Sequence, residues 1–226
     1  WKGFPASSTD MKTLHFKQDR VHDFAWFADK RFVVRKGFVT LPRSSNTVTT
    51  WTMSTPKNAE LWKDAITYVN ESVRLYSEWI GDYPYSACTA IDGGTAAGGG
   101  MEYPMITIIN DSEDAFELDV VIAHEVGHNW FYGMLGSNER DHPWMDEGIN
   151  SYYEKRYVEQ YYGKEDDLIA LPNFVRKGSE ISFGELAYLW QARRRLDQAP
   201  ETTSDDFTNI NYYLGAYEKP ALALQY

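Results

Sequence analysis

The sequence predicts an α+β fold, because segments typical of strands come first and long helical patterns dominate the rest of the chain. Residues 14–17, 21–28 and 31–35 are rich in aromatic and β-branched residues, which favour strands. After residue 50, short apolar runs alternate with apolar stripes that recur every three or four residues. We therefore expect residues 1–50 to end a β-rich domain and residues 51–226 to form a second, mixed domain.

The first helix is expected directly after this boundary. Residues 41–50 contain Pro42 and several turn-forming residues, and Pro56 can open a helix with Thr55 as its N-cap. Gly81 follows the last apolar position, where helices commonly end. One apolar stripe lies between these limits and consists of Trp62, Ile66, Val69, Val73, Tyr76 and Ile80.

Short strands and further helices are expected beyond this first helix. Residues 86–91 and 105–109 are apolar runs typical of buried strands, and residues 93–100 between them contain five glycines. Helical patterns follow over residues 117–135 and 147–162. The remainder of the chain is predicted to be helical, with one connecting loop.

The composition excludes several classes of function. Acidic residues outnumber basic residues 33 to 22, and the net charge of −11 argues against nucleic acid as a partner. No apolar run approaches the roughly 18 residues of a membrane span, and the single cysteine, Cys88, excludes an internal disulfide. The chain starts at Trp1 without an initiator methionine and stops inside a helical pattern. We therefore expect both ends to be truncated, and we infer no compartment.

An H-E-x-x-H motif carries the clearest chemical signal. It is formed by His124, Glu125 and His128 inside a predicted helix. The helical repeat places both histidines on one face, one turn apart, so that both imidazoles can bind one zinc ion. Glu125 lies beside them, where its carboxylate can take a proton from a water molecule at the metal. The alternative is a helix whose histidines have only structural partners.

A third protein ligand is expected on the next helix. A catalytic zinc has three protein ligands and an open position for water. Glu147 follows His128 after 18 intervening residues, which is enough for one helix to end and another to return beside it. An acidic residue is also common at a helix start, where the helix dipole favours it. On spacing alone, both interpretations of Glu147 stay open.

These residues resemble the zinc site of the aminopeptidase N family, which includes leukotriene hydrolase. Residues 128–131 match the family's H-x-W-F run, residues 99–103 approach its G-x-M-E-N motif, and residues 217–219 match its Y-E-K motif. Residues 22–26 resemble the end of its N-terminal β-domain. The resemblance implies a thermolysin-like zincin catalytic domain, preceded by the tail of a β-sandwich-like domain.

The resemblance also implies roles for individual residues. His124, His128 and Glu147 would bind one Zn²⁺ ion, and Glu125 would act as general base and then as proton donor to the leaving amine. Tyr217 would donate a hydrogen bond to the oxyanion that develops in the transition state.

The substrate-binding residues implied by the resemblance are Gly99, Gly100, Met101 and Glu102. Glu102 would meet the protonated α-amine of a peptide, and the glycines at 98–100 would let an extended substrate lie against the backbone as an added strand. The sequence departs from the family pattern at two positions, since Gly100 replaces an alanine and Tyr103 replaces an asparagine.

The function that follows from the resemblance is zinc-dependent removal of the first residue from peptides with a free N-terminus. A zinc endopeptidase on the same fold remains an alternative, and it would require the amine contact at Glu102 to be absent or displaced. A non-catalytic peptide-binding scaffold is the second alternative, marked by loss of the ligands or the base. All four of these residues are present in the sequence.

Overall fold

The computed structural model describes residues 8–94, 99–163 and 183–225. Five strands form one mixed sheet in the order β1-β2-β3-β5-β4. Their bounds are β1 (Val33–Thr40), β2 (Thr47–Ser54), β3 (Ala87–Asp92), β4 (Gly100–Tyr103) and β5 (Ile106–Ile109). The pairs β1–β2 and β4–β5 are antiparallel, whereas β2–β3 and β3–β5 are parallel. β4 therefore forms one edge of the sheet.

Helices follow and separate the strands. Their bounds are α1 (Ala65–Trp79), α2 (Ala115–His128), α3 (Ile149–Tyr162), α4 (Phe183–Arg193), α5 (Asn209–Tyr212) and α6 (Lys219–Gln225). Three π-helical turns adjoin them, and we number these turns in chain order: the first is Asn129–Met134, the second Trp144–Gly148 and the third Tyr213–Glu218. Within the described ranges, no helix has the length and apolar character required to cross a membrane.

The core lies between the sheet and the first two long helices. The predicted stripe of α1 is largely confirmed, because Val69, Val73 and Tyr76 are fully buried and Trp62 on the preceding 3₁₀ turn is almost so. Tyr76 stacks on Trp130 of the first π-turn with ring centroids 5.5 Å apart. This packing fixes the position of α2 and of the turn that follows it.

Two local predictions are wrong. Residues 14–28 form no strand, and side chains such as Phe16 and Trp26 are exposed, because no neighbouring strand in the described chain pairs with this segment. The first helix does not open at Pro56, since the 3₁₀ turn before α1 starts only at Leu61. Thr55 instead donates its hydroxyl hydrogen bond to Asp92 at 2.6 Å.

The predicted domain boundary near residue 50 falls inside β2. β2 pairs with β1 on one side and with β3 on the other, so both early strands belong to the sheet that carries the later elements. The division of the chain into two domains stays a prediction. The sheet favours placing that boundary before Val33 rather than at residue 50.

The other expected elements agree with the structure within a few residues. β3 and β5 lie in the two apolar runs, and α2 with the first π-turn covers the helical pattern of residues 117–135. α3 ends at Gly163, which has a positive φ of 81°. Part of the C-terminal helical prediction falls on residues 164–182, outside the described residues.

Candidate metal centre and substrate cleft

α2 and the second π-turn bring three metal-ligating side chains together. His124 Nε2 lies 3.1 Å from His128 Nε2 and 3.2 Å from Glu147 Oε2, and His128 Nε2 lies 3.3 Å from the same oxygen. In a tetrahedral zinc site with bonds near 2.0–2.1 Å, neighbouring ligand atoms lie about 3.3 Å apart. The triangle therefore has the size and the donor chemistry of a zinc site.

Each histidine is held by a carboxylate on its other ring nitrogen. His124 Nδ1 lies 2.7 Å from Glu154 Oε2, and His128 Nδ1 lies 2.5 Å from Asp146 Oδ1. Donation of the Nδ1 hydrogen fixes the tautomer and leaves the Nε2 lone pair free to bind a metal. The arrangement is that of a preformed cation site.

The sequence motifs identify neither of these carboxylates. Asp146 is adjacent to the predicted ligand Glu147, and Glu154 follows that ligand by seven residues, which is two helical turns on the same face. This spacing is the signal that could have identified Glu154.

The electrostatics of the triangle favour positive charge at its centre. Burial alone would lower the pKa of His124, but its hydrogen bonds to Glu147 and Glu154 raise the pKa to about 10. Burial opposes ionisation of Glu147 in the same way, yet the neighbouring His128 and His124 hold the pKa of this carboxyl well below its usual range. Glu147 therefore stays ionised, and the carboxylates around the two histidines stabilise positive charge at this place.

Glu125 lies on α2 next to the ligands and is buried. Burial raises its pKa to about 7, which suits a group that must both accept and return a proton. The backbone of β4 passes very close to it, since a Cβ atom at Gly100 would lie 2.5 Å from Glu125 Oε1. Glycine at position 100 therefore makes room for the carboxylate of the candidate base.

Tyr217 lies on the third π-turn, against the metal ligands. Its ring stacks with that of His124 at a centroid distance of 6.0 Å. Burial is the main reason that the pKa of Tyr217 lies well above its ordinary value, so the hydroxyl remains a hydrogen-bond donor. Gly148 permits this approach, because a Cβ there would lie 2.7 Å from the backbone oxygen of Ala216.

Glu102 lies in the middle of β4 and is only 8% exposed. One of its carboxylate oxygens lies within 4.8 Å of ligand atoms of Glu125 and His128. Burial raises the pKa of Glu102 to about 8. The edge strand thus presents a buried carboxyl group directly beside the metal triangle and the candidate base, and a cation bound next to it would favour its ionised form.

One cavity of about 550 Å³ contains all of these groups. The residues predicted from the sequence that line it are Gly99, Gly100, Met101, Glu102, His124, Glu125, His128, Glu147 and Tyr217. Gly98, which was grouped with the substrate-binding glycines, lies outside the described residues. The cavity is also lined by Glu139 and Tyr212, which the sequence analysis did not select.

The π-helical turns carry or adjoin much of the site. The first directly follows His128, the second contains Glu147, and the third contains Tyr217. Such turns are rare in helices and occur frequently at functional sites. Each π-turn lies where an α-helix begins or ends. His128, Glu147 and Tyr217, from three different segments, thereby line the same cavity.

A helix-borne histidine pair, an adjacent glutamate and a third carboxylate ligand from the following helix are typical of zinc metallopeptidases. The sequence model of the Peptidase family M1 domain matches residues 65–217, about two thirds of the chain. The chain belongs to the Peptidase M1 family.

Individual relatives agree with this assignment. The chain is 37% identical over 123 residues to leucine aminopeptidase 2-1 of Meyerozyma guilliermondii, covering 52% of this chain and 20% of that protein. It is 35% identical over 69 residues to leukotriene A-4 hydrolase of Xenopus laevis, covering 30% of this chain and 11% of that protein. The chain thus spans about a tenth to a fifth of the length of these two relatives.

The fold is also similar to that of a solved structure. An M1 zinc metallopeptidase from Deinococcus radiodurans superposes with a TM-score of 0.57 and 19% sequence identity. The match covers 86% of this chain and 39% of that chain. The mixed sheet and its helices are therefore those of the M1 fold.

Proposed function

We propose that the protein is a zinc-dependent aminopeptidase that hydrolyses the N-terminal peptide bond of peptides. The observation that carries this proposal is the position of Glu102, within 4.8 Å of both the candidate base Glu125 and the ligand His128. A carboxylate at that place can bind the ammonium group of a substrate whose first carbonyl lies at the metal. Membership of the M1 family supports the same reaction class.

His124, His128 and Glu147 would hold one Zn²⁺ ion, with the fourth position open to the cavity. Bound zinc polarises the scissile carbonyl and lowers the pKa of a water molecule. The outer carboxylates Asp146 and Glu154 keep both imidazoles oriented for this task.

Glu125 would take the proton from the attacking water and return it to the leaving amine. Burial raises the pKa of Glu125, which favours its taking up a proton and returning it later. Tyr217 would donate its hydroxyl hydrogen to the oxyanion that develops as the carbonyl carbon becomes tetrahedral. This interaction stabilises the transition state more than the bound substrate.

Gly99, Gly100 and Met101 would guide the peptide along the edge of the sheet. β4 pairs with β5 on one side only among the described strands, so an extended substrate can add on its other side. The ammonium group would then meet Glu102, and this contact places the first peptide bond, rather than an internal one, at the metal.

We further propose that the mixed sheet and helices form a thermolysin-like zincin catalytic domain. Residues before β1 would be the tail of a preceding β-domain. That segment contacts the catalytic part through Tyr132, whose hydroxyl donates to Asp23 at 3.0 Å and whose backbone oxygen lies 3.0 Å from His22 Nε2. These two residues belong to the stretch that resembles the end of the family's β-domain.

Free and N-acetylated aminoacyl amides test exopeptidase action directly. Acetylation removes the charge that Glu102 binds, and loss of a shielded charge pair costs about 2–5 kcal/mol, so we expect roughly 30- to several-thousand-fold preference for the free amine. Glu102→Ala should remove most of that preference by slowing cleavage of the free-amine substrate. Glu159→Ala, which removes an exposed carboxylate on α3, is the matched control.

The two alternatives give different results in the same assay. Equal cleavage of free and acetylated substrates would support a zinc endopeptidase. Absence of cleavage by protein that contains one zinc ion per chain would support a non-catalytic scaffold.

A further inference from the structure

A second group of carboxylates lies beside the metal triangle in the same cavity. One oxygen each of Glu102, Glu139 and Asp146 lies within 4.8 Å of the other two. We propose that Glu139 is a further substrate-binding residue, which completes a three-carboxylate site for the α-ammonium group of the substrate. This inference rests on the proposed aminopeptidase function and adds a residue that the sequence motifs do not identify.

The spacing fits an ammonium group. When three oxygens are no more than 4.8 Å apart, a nitrogen atom can be placed within about 2.8 Å of all three, the length of a charge-assisted hydrogen bond. An ammonium group has three hydrogens to donate, one for each carboxylate. Its compact, threefold shape matches the triangle of acceptors.

Glu102 independently indicates that a cationic ligand belongs here. Its side chain is 8% exposed and lines the cavity, yet across the described ranges no hydrogen-bond donor reaches its carboxylate. Burying a carboxylate without a partner is unfavourable. Arg140 also lines the cavity, but its guanidinium pairs with Asp205 at 3.2 Å instead. Glu102 is therefore positioned to receive its partner from the substrate.

Glu139 is held in place by contacts between two loops, the first containing residues 138–141 and the second containing Ser204. Ser204 donates from its hydroxyl to the backbone oxygen of Glu139 at 2.8 Å, and from its backbone nitrogen to the backbone oxygen of Arg140 at 2.7 Å. Within the first loop, the side-chain oxygen of Asn138 accepts from the backbone nitrogen of Arg140 at 3.1 Å. These bonds hold the half-buried Glu139 at the wall of the cavity.

The three-carboxylate site also lies next to the candidate zinc site, as an amine-binding site must. In an amino acid, the amine nitrogen and the carbonyl carbon are only about 2.5 Å apart, so the amine site of an aminopeptidase must adjoin the metal. Asp146 links the two sites directly, because Oδ1 accepts from His128 while its carboxylate retains further acceptor capacity. Glu102 adjoins both Glu125 and His128.

The test compares Glu139→Gln with the wild-type protein, using free and N-acetylated aminoacyl amides. Glu159→Gln, on the exposed face of α3, makes the same charge change away from the cavity and is the control. We expect Glu139→Gln to lower kcat/KM for the free-amine substrate by about 10- to 100-fold, mainly through KM, and to leave the acetylated substrate nearly unchanged. The zinc content should remain one ion per chain.

Three results would overturn the inference. One is an unchanged preference for the free amine in Glu139→Gln, when the wild-type protein shows a clear preference. Another is an equal loss with both substrates, which would assign Glu139 a structural role. The third is a second bound metal ion per chain that disappears in Glu139→Gln.

The role of Glu139 can also be tested without turnover, by measuring substrate binding. If zinc-loaded wild-type protein hydrolyses neither substrate, calorimetric binding of the same amides to the Glu125→Gln protein still tests the carboxylate site. We expect the free-amine amide to bind more tightly than the acetylated one, and adding Glu139→Gln to remove most of the difference. A difference that survives both substitutions would contradict the role of Glu139.

Discussion

The cavity has a helical wall, formed by α2 and the second π-turn, and a strand wall, formed by β4. The two walls hold their functional groups in different ways. On the helical wall, both histidines have hydrogen-bonded carboxylate partners inside the protein, at 2.7 Å and 2.5 Å. On the strand wall, Glu102 is buried on β4 without such a partner in the described part of the chain. The side chains that hold a resident ion are therefore oriented in advance by the protein, whereas a side chain that binds the substrate obtains its partner from the substrate.

The largest loss of activity is expected from substitutions on the helical wall, where Glu125 transfers protons and His128 binds the metal. Glu125→Gln should lower kcat by roughly 10²- to 10⁴-fold while zinc content stays at one ion per chain, because Glu125 is a base and not a ligand. His128→Ala should lose zinc together with activity. Kinetics and elemental analysis of the two variants measure this, and loss of zinc in Glu125→Gln would contradict the division of roles.

Tyr217→Phe should lower kcat by roughly 10²- to 10³-fold with a small change in KM, since its hydroxyl acts on charge that develops in the transition state. The ring of phenylalanine preserves the stacking on His124. Steady-state kinetics provide the measurement. An unchanged kcat would remove Tyr217 from the mechanism.

On the strand wall, Gly100→Ala should reduce kcat by about 10- to 100-fold, because the new Cβ atom would displace the Glu125 carboxylate by a fraction of an ångström or more. Gly94→Ala is the control, since a Cβ there meets nothing within 4 Å. Kinetic assays on both variants make the comparison. Full activity of Gly100→Ala would mean that the base tolerates this shift.

The two outer carboxylates, Asp146 and Glu154, are expected to affect zinc affinity rather than the chemical step. Asp146→Asn and Glu154→Gln should each weaken zinc binding by about 10- to 100-fold, with the larger loss for Asp146. Its side chain is 1% exposed against 25% for Glu154, so water can replace Glu154 more easily. Competition with a chelator measures both affinities. A larger loss for Glu154→Gln would contradict this ranking.

The sequence predicted the grouping of His124, His128 and Glu147 better than it predicted the residues around them. The histidine pair depends on a helical repeat, which is local, and Glu147 depends on a short return of the chain. Asp146 could be noticed only as a neighbour of Glu147, and Glu139 has no local pattern at all. Glu139 reaches the cavity because Ser204, far along the chain, bonds to its loop.

Helices and strands were predictable where a local apolar pattern identifies them. They were less predictable where a strand forms only by pairing with another strand. The stripe of α1 and the apolar runs of β3 and β5 gave their approximate positions. The same β-branched and aromatic content at residues 14–28 produced no strand, because a strand requires a partner that the composition of one segment does not reveal. The pairing of β2 with β3, next to the predicted boundary at residue 50, could not be foreseen for the same reason, and the division into two domains stays a prediction.

The mechanism depends on one zinc ion that binds to His124, His128 and Glu147 with an open fourth position. An anomalous-scattering map of crystals of the zinc-loaded protein, measured at the zinc edge, tests this most directly. We expect a single peak close to both Nε2 atoms and Glu147 Oε2, with no fourth protein ligand. A peak away from these three side chains, or a fourth protein side chain that closes the site, would contradict it.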